Sequence, residues 1–348
     1  MADQAQRDGA HLRNLWYFAL AGARLRRGRM AARVLLGEPV LLARDARGQP
    51  FALRNICPHR GIPLTHGRFD GQEVECGYHG WRFNGEGRCT AIPSLTDDQP
   101  LDVSKIKVRR YPCREVQGNI WVFFGDEGGD PGDPPIVPDI GDAAPRLVET
   151  QLFDCEIDHA VVGLMDPAHG PFVHAAWWWR TRRSMHEKAK AFAPAPLGFR
   201  MVRHKPSSNS AGYKILGGEI TTEISFRLPG VRIEHIRAGR HVLCNLTAVT
   251  PTGEGKTEVN HAIYWTQPWL TPFTPVFRRF AKTFLGQDRA MVTKQQEGLR
   301  YNPNLMLIND ADTQAKWYYR LKKEWQRCQS EGGDFVNPVK ETVLRWRS

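Results

Sequence analysis

The sequence predicts an α+β protein of two domains: an all-β domain over residues 1–130 and, over residues 131–348, an α+β domain whose central antiparallel sheet is flanked by helices. Three observations predict it. Short apolar runs punctuated by turn residues continue to residue 124, a stretch too rich in Gly, Pro and Asp for regular structure covers residues 126–142, and mixed helical and strand-like runs follow. Residues 30–56 read as two or three strands separated by Gly37-Glu38-Pro39 and Asp45-Ala46-Arg47-Gly48. Asn84-Gly85-Glu86-Gly87 marks a hairpin, and the strand-like Asn119–Phe124 closes the first domain. In the second domain residues 158–176 are helical in part, and Glu219–Arg227, Val231–Ile236 and Val259–Trp265 have β-type composition. Residues 273–298 and 310–328 have helical character.

Of 348 residues, 41% are hydrophobic and 24% charged, the composition of a folded chain rather than a disordered one. No apolar run approaches the ~18 residues of a membrane span, and the N-terminus lacks the apolar core of a signal peptide. The expectation is a cytoplasmic protein with no membrane span. Seven cysteines, an odd number thinly spread, point to metal ligation rather than to a disulfide framework. The net charge of +11 suits nucleic acid, an anionic membrane surface or an acidic protein. No aromatic-rich basic stripe or DNA-reading motif occurs, so nucleic acid is not expected as a partner. No G-x-G-x-x-G follows a strand and opens a helix, so redox chemistry here would draw its electrons from a separate protein.

Cys57-Pro58-His59 and, after sixteen residues, Cys76-Gly77-Tyr78-His79 form two short chelating loops. Zinc could use these four ligand types, but zinc fingers seldom mix Cys and His within both halves of the site. In a [2Fe–2S] cluster of the Rieske kind, two cysteines hold one iron and two histidines the other, so each loop serves both irons. Gly61, Gly77 and Gly80 let backbone amides approach the sulfurs, and Trp81 shields a flank. A structural zinc knuckle is the bland alternative.

A second group lies at Asp166-Pro167-Ala168-His169-Gly170-Pro171-Phe172-Val173-His174. Two histidines and one carboxylate on one face of a metal leave positions open, an arrangement suited to Fe(II) and dioxygen. On an unbroken helix His169 and His174 would point about 140° apart. Gly170 and Pro171 between them supply a reason for a break.

The segment CPHRGIPLTHGRFDGQEVECGYHGWRFNGEGRCTAIPS resembles the Rieske domain of the Rieske non-haem iron oxygenases, and especially the α-subunit-only type that includes vanillate and dicamba O-demethylases. GLMDPAHGPFVH resembles their N-L-M-D-x-x-H-x4-H segment, with Gly163 standing where the family has Asn. The similarity is dense over residues 14–124 and thins to two short segments beyond.

The resemblance implies one Rieske [2Fe–2S] cluster on Cys57, His59, Cys76 and His79, and one mononuclear Fe(II) on His169, His174 and a distant acid. Asp288, in FLGQD, matches the family's Phe-x-x-Glu/Gln-Asp pattern and is expected at the head of a helix, whereas Asp310 and Asp312 read as helix caps. Asp166 is implied as the carboxylate through which electrons pass between subunits. By the same resemblance the chain is the terminal oxygenase component of a multicomponent system. Its electrons come from an acidic ferredoxin or an NAD(P)H-dependent reductase, and with O2 it hydroxylates or O/N-demethylates a hydrophobic, aromatic or cyclic substrate. A homo-oligomer, a ring of three, follows too. A Rieske electron carrier or zinc-bound binding module without oxygenase chemistry is the alternative. Trp177, Trp178 and Trp179 are candidates for a pocket wall, and Arg182, Arg183 or Arg203 for holding a substrate carboxylate. His159, His186, His204, His235, His241 and His261 are assigned no catalytic role.

Overall fold

The structure is a computed structural model that describes residues 11–126, 131–174, 181–206 and 216–348. It divides into two compact units, one of Arg13–Pro134 and one that includes Pro135–Ser348. The division falls inside the Gly/Pro/Asp-rich stretch, where backbone that lacks regular hydrogen bonding makes few cross-contacts. No helix among the described residues is long and apolar enough to cross a membrane.

The first unit is built from β1 (Leu15–Ala21), β2 (Arg29–Leu35), β3 (Glu38–Arg44), β4 (Pro50–Arg54), β5 (Arg68–Phe69), β6 (Glu73–Glu75), β7 (Arg82–Asn84), β8 (Cys89–Ala91), β9 (Arg110–Tyr111), β10 (Cys113–Val116) and β11 (Asn119–Phe124). They pair as three antiparallel sheets ordered β1-β11-β10, β2-β3-β4-β9 and β5-β6-β7-β8. Residues 30–56 hold the three strands β2 to β4 and the expected hairpin joins β7 to β8. Asn84 supports that turn by accepting from the amides of Glu86 and Arg88, and Gly87 takes φ +76° where a β-carbon would strike the Val108 carbonyl. Leu41, Leu53, Leu64, Val74 and Phe83 pack with Cys57 and Cys76, so the two thiol groups stand on the core itself.

The second unit contains β12 (Leu147–Phe153), α1 (Ile157–Met165), α2 (Gly170–Val173), β13 (Glu187–Ala195), β14 (Gly198–His204), β15 (Ile220–Arg227), β16 (Val231–Ala238), β17 (His241–Gly253), β18 (Lys256–Trp265), α3 (Thr274–Leu299), α4 (Thr313–Glu331) and β19 (Thr342–Arg347). Its eight strands form one antiparallel sheet ordered β12-β18-β17-β16-β15-β14-β13-β19. Alternation along β16, β17 and β18 sends every second side chain to one face. Arg232 therefore stands opposite Thr247 and Thr247 opposite His261, while Glu234 stands opposite Asn245. Helix α3 packs on β12.

One sequence expectation is corrected here. Asp288 lies in the middle of α3, not at the head of a helix. The helix begins at Thr274-Pro275, where Pro tolerates a missing donor, and Gly286 does not interrupt it. The carboxylate is therefore placed by the helix face it occupies and not by the helix N-terminus. Asp312 takes the N-cap position of α4, but its carboxylate accepts from the Ile308 amide and not from the helix; Asp310 accepts from the Arg345 amide.

Candidate metal centres and cavity

The Cys57 and Cys76 loops share one backbone pattern. The Cys57 amide donates to the Ile62 carbonyl at 2.9 Å and the Gly61 amide returns to the Cys57 carbonyl at 2.9 Å; the Cys76 amide donates to Trp81 at 2.8 Å and Gly80 returns to Cys76 at 3.0 Å. Gly61 at φ +77° and Gly80 at φ +71° make these returns possible. The loops approach so closely that a β-carbon on Gly67 would lie 1.8 Å from the Glu75 carbonyl, and one on Gly77 2.9 Å from the His66 carbonyl. Both thiol groups are buried, His59 is exposed, and the rings of His59 and His79 lie 4.6 Å apart. Trp81 stacks flat on His59 at 4.7 Å rather than beside its neighbour His79.

Burial raises the Cys57 thiol above its usual range, while hydrogen bonds from the His59 and Arg60 amides favour the thiolate. Two thiols on the inner side and two imidazoles on the outer side, with amides aimed at sulfur, fit a Rieske cluster.

In the second unit α1 ends at Met165 and the chain turns before α2. His169 occupies the N-cap of α2 and His174 its C-cap. The expected break between the histidines is not there: the chain is interrupted at 166–169, before His169, and Gly170 and Pro171 open the short helix α2, at whose two ends the two rings converge. Their Nε2 atoms are 3.0 Å apart, and Asp288 Oδ1 lies 3.0 Å from His174 Nε2 and 3.6 Å from His169 Nε2. Among the described residues these three are the group of histidine, cysteine or acid side chains arranged to hold a metal ion.

Three metal-binding atoms crowded this closely, one carboxylate and two imidazole nitrogens, suit a divalent cation. Burial holds His169 below the usual imidazole range despite the neighbouring Asp166 and Asp288, which keeps a lone pair available. Asp166 sits half-buried with Oδ2 3.7 Å from His169 Nδ1, and its other oxygen accepts from the Ala168 amide at 2.7 Å. A β-carbon on Gly163, the departure from the family pattern, would meet only Val292, so that position offers the cluster no polar group.

Sequence reasoning missed Gln287. Its Oε1 accepts from His174 Nδ1 at 2.9 Å, which leaves Nε2 to face the cluster, while Phe284 stacks on the same ring at 3.6 Å. Its position next to Asp288 in the FLGQD segment was the available signal.

The cluster opens on a cavity of about 680 Å³ lined by His169, His174 and Asp288. Phe277, Phe280 and Phe284 of α3 line it too, as do the inner faces of β15 to β18. His261 and His204, assigned no role from sequence, both line it. Thr247 Oγ1 lies 2.9 Å from His261 Nδ1, and burial pushes His261 down to about 4, so its ring is neutral near pH 7. Arg182, Arg183 and Arg203 do not line the cavity. Arg182 lies over Phe172 and Arg183 is exposed, while Arg203 meets His235 Nδ1 at 2.8 Å. Trp177, Trp178 and Trp179 lie outside the described residues.

The Rieske [2Fe-2S] domain family matches residues 15–112. Chlorophyllide a oxygenase of Chlamydomonas reinhardtii is 38% identical over 302 residues, spanning 82% of this chain and 44% of that protein. The oxygenase component of dicamba O-demethylase of Stenotrophomonas maltophilia is 35% identical over 170 residues, 47% of this chain and 48% of that one. The chain spans about half the length of the curated relatives it matches. The crystal structure of dicamba monooxygenase bound to dicamba superposes with a TM-score of 0.74 at 22% identity, covering 92% of this chain and 98% of that one.

The first unit is a Rieske [2Fe–2S] domain, and the chain has the fold of dicamba monooxygenase. The cofactors of such a protein are one Rieske cluster and one mononuclear iron.

Proposed function

We propose that this chain is the terminal oxygenase component of a multicomponent system, acting on a hydrophobic ring-containing substrate by hydroxylation or by O- or N-demethylation. The observation that carries the reading is the opening of the His169, His174 and Asp288 cluster directly onto a large, mainly apolar cavity. Cys57, His59, Cys76 and His79 would hold the Rieske cluster, and His169, His174 and Asp288 the iron. The bound metals supply electron storage and the use of dioxygen.

The chain's own residues do the rest. Gln287 and Phe284 fix the His174 ring, and the Phe277, Phe280 and Phe284 wall excludes water and holds a substrate beside the metal site. Asp166 is assigned the bridge to a neighbouring subunit. In support, its side chain is about one-third exposed and His59 lies at the surface, so a second chain can reach either. A ring of three and an acidic ferredoxin or reductase complete the proposal.

Metal and sulfide analysis tests it. Three irons and two acid-labile sulfides per chain are expected, and Asp288→Ala should lose one iron and the oxygen-dependent product while keeping the visible spectrum of the cluster. Zinc alone, two irons with no third, or full iron and activity in Asp288→Ala would overturn the assignment.

A further inference from the structure

We propose that the cavity selects an anionic substrate, a ring system bearing a carboxylate, and that Arg232 is the residue that anchors the carboxylate. The inference rests on the oxygenase reading for its reaction, but the anion site is argued from the cavity walls alone.

The cavity lining contains three cations, Lys188, Lys190 and Arg232, and three acids. Two of the acids, Asp166 and Asp288, belong to the histidine cluster, where Asp288 would face a divalent cation. Glu234 is the single acidic side chain left to balance three cationic side chains in the remainder of the cavity. An apolar chamber with surplus positive charge favours an anionic guest over a neutral one of the same shape.

Arg232 is the best placed of the three. Lys188 donates to Ser348 Oγ at 2.9 Å, and Lys190 donates to the Lys205 carbonyl at 3.2 Å. Arg232 meets one ionic partner among the described residues, Glu234 at 3.6 Å, beyond good hydrogen-bonding distance. Glu234 lies within 3.4 Å of the Asn245 amide nitrogen, a second partner that divides its charge. The guanidinium side chain is three-quarters buried, so a bidentate carboxylate would meet it in a low-dielectric setting.

The strand register extends the site. Thr247 and His261 stand on the same rung as Arg232, across two neighbouring strands. Thr247 holds His261 Nδ1, which leaves Nε2 as the ring atom for a guest. The same cavity is lined from α3 by Phe277, Phe280 and Phe284. A flat ring fits against the phenylalanines with its carboxylate on Arg232 and a further polar atom reaching His261. Specificity thus comes from one face of the sheet and hydrophobic affinity from α3.

Isothermal titration of the anaerobic holoenzyme with matched acid and amide pairs tests this. The pairs are benzoate with benzamide, 2-naphthoate with 2-naphthamide, and 1-pyrenecarboxylate with 1-pyrenecarboxamide. In at least one pair the acid should bind about tenfold or more tightly, and Arg232→Gln should erase the difference while Arg232→Lys retains part of it. Glu234→Gln, which removes the competing acid, should strengthen acid binding; it also decides the matter if Arg232→Gln does not fold. An absence of acid preference in every pair, its survival in Arg232→Gln, or an unchanged preference in Glu234→Gln overturns the proposal. Binding needs no turnover, so an Arg232-dependent preference in a protein without oxygen-dependent activity would sink the oxygenase reading and keep the anion site. Activity without any acid preference would do the reverse.

Discussion

Gln287 shows how much one side chain outside the ligand set can control. A metal-binding imidazole needs its second nitrogen fixed, or the ring swings and the lone pair loses its aim. The 2.9 Å contact from His174 Nδ1 to Gln287 Oε1 does this, with Phe284 clamping the ring face. Gln287→Leu removes the acceptor and keeps the bulk. We expect the second site to lose iron about 10–100-fold more readily to a chelator while the cluster spectrum is unchanged, and Gln287→Glu to restore retention. Undiminished iron after dialysis of Gln287→Leu would show that packing alone holds the ring.

Among elements, the paired cluster loops leave little room for change. At Gly67 the chain passes so near the Glu75 carbonyl that no side chain can be housed, and the obstacle is backbone on both sides. Gly67→Ala should therefore push the Cys57 and Cys76 loops apart, bleach the visible cluster absorption and lower the Tm of the first unit. Gly253→Ala, with nothing within 4 Å of its β-carbon, should leave both unchanged. A normal spectrum in Gly67→Ala would mean the loops yield more than this packing allows. The sequence made these loops legible because all four donors and their glycines lie within a short span. The break it implied at Gly170-Pro171 was misplaced, because Pro at the start of a helix has no intrahelical donor to lose and these two residues open α2, with the interruption one step earlier. The site of Asp288 within its element was not legible. A motif match locates a residue in sequence, whereas its place in α3 depends on where the helix starts.

For the whole molecule, the net charge of +11 acts at long range. An acidic electron donor would be drawn to this chain before any contact forms. Its kcat/KM should fall several-fold as salt rises from about 10 mM to about 0.1 M, where the screening length shrinks from about 30 to about 10 Å, with kcat at saturating donor little changed. A flat salt response, read in steady-state assays with the native donor, would remove steering from the account of the charge.

The sequence by itself determined the chemistry of the donors: two Cys–His loops, two histidines five residues apart, and their local spacing. Contacts a few residues apart are set by local backbone conformation, which residue types reveal. The FLGQD match had already singled out Asp288, but only the tertiary structure showed how a residue more than a hundred positions beyond His174 comes within 3.0 Å of that ring, from the middle of α3. It alone put Arg232, Thr247 and His261 on one rung of a cavity wall and left Arg203 outside the cavity. Every second residue of a strand faces the same way, but which face is the cavity, and which strands lie side by side, follows from pairings between distant segments.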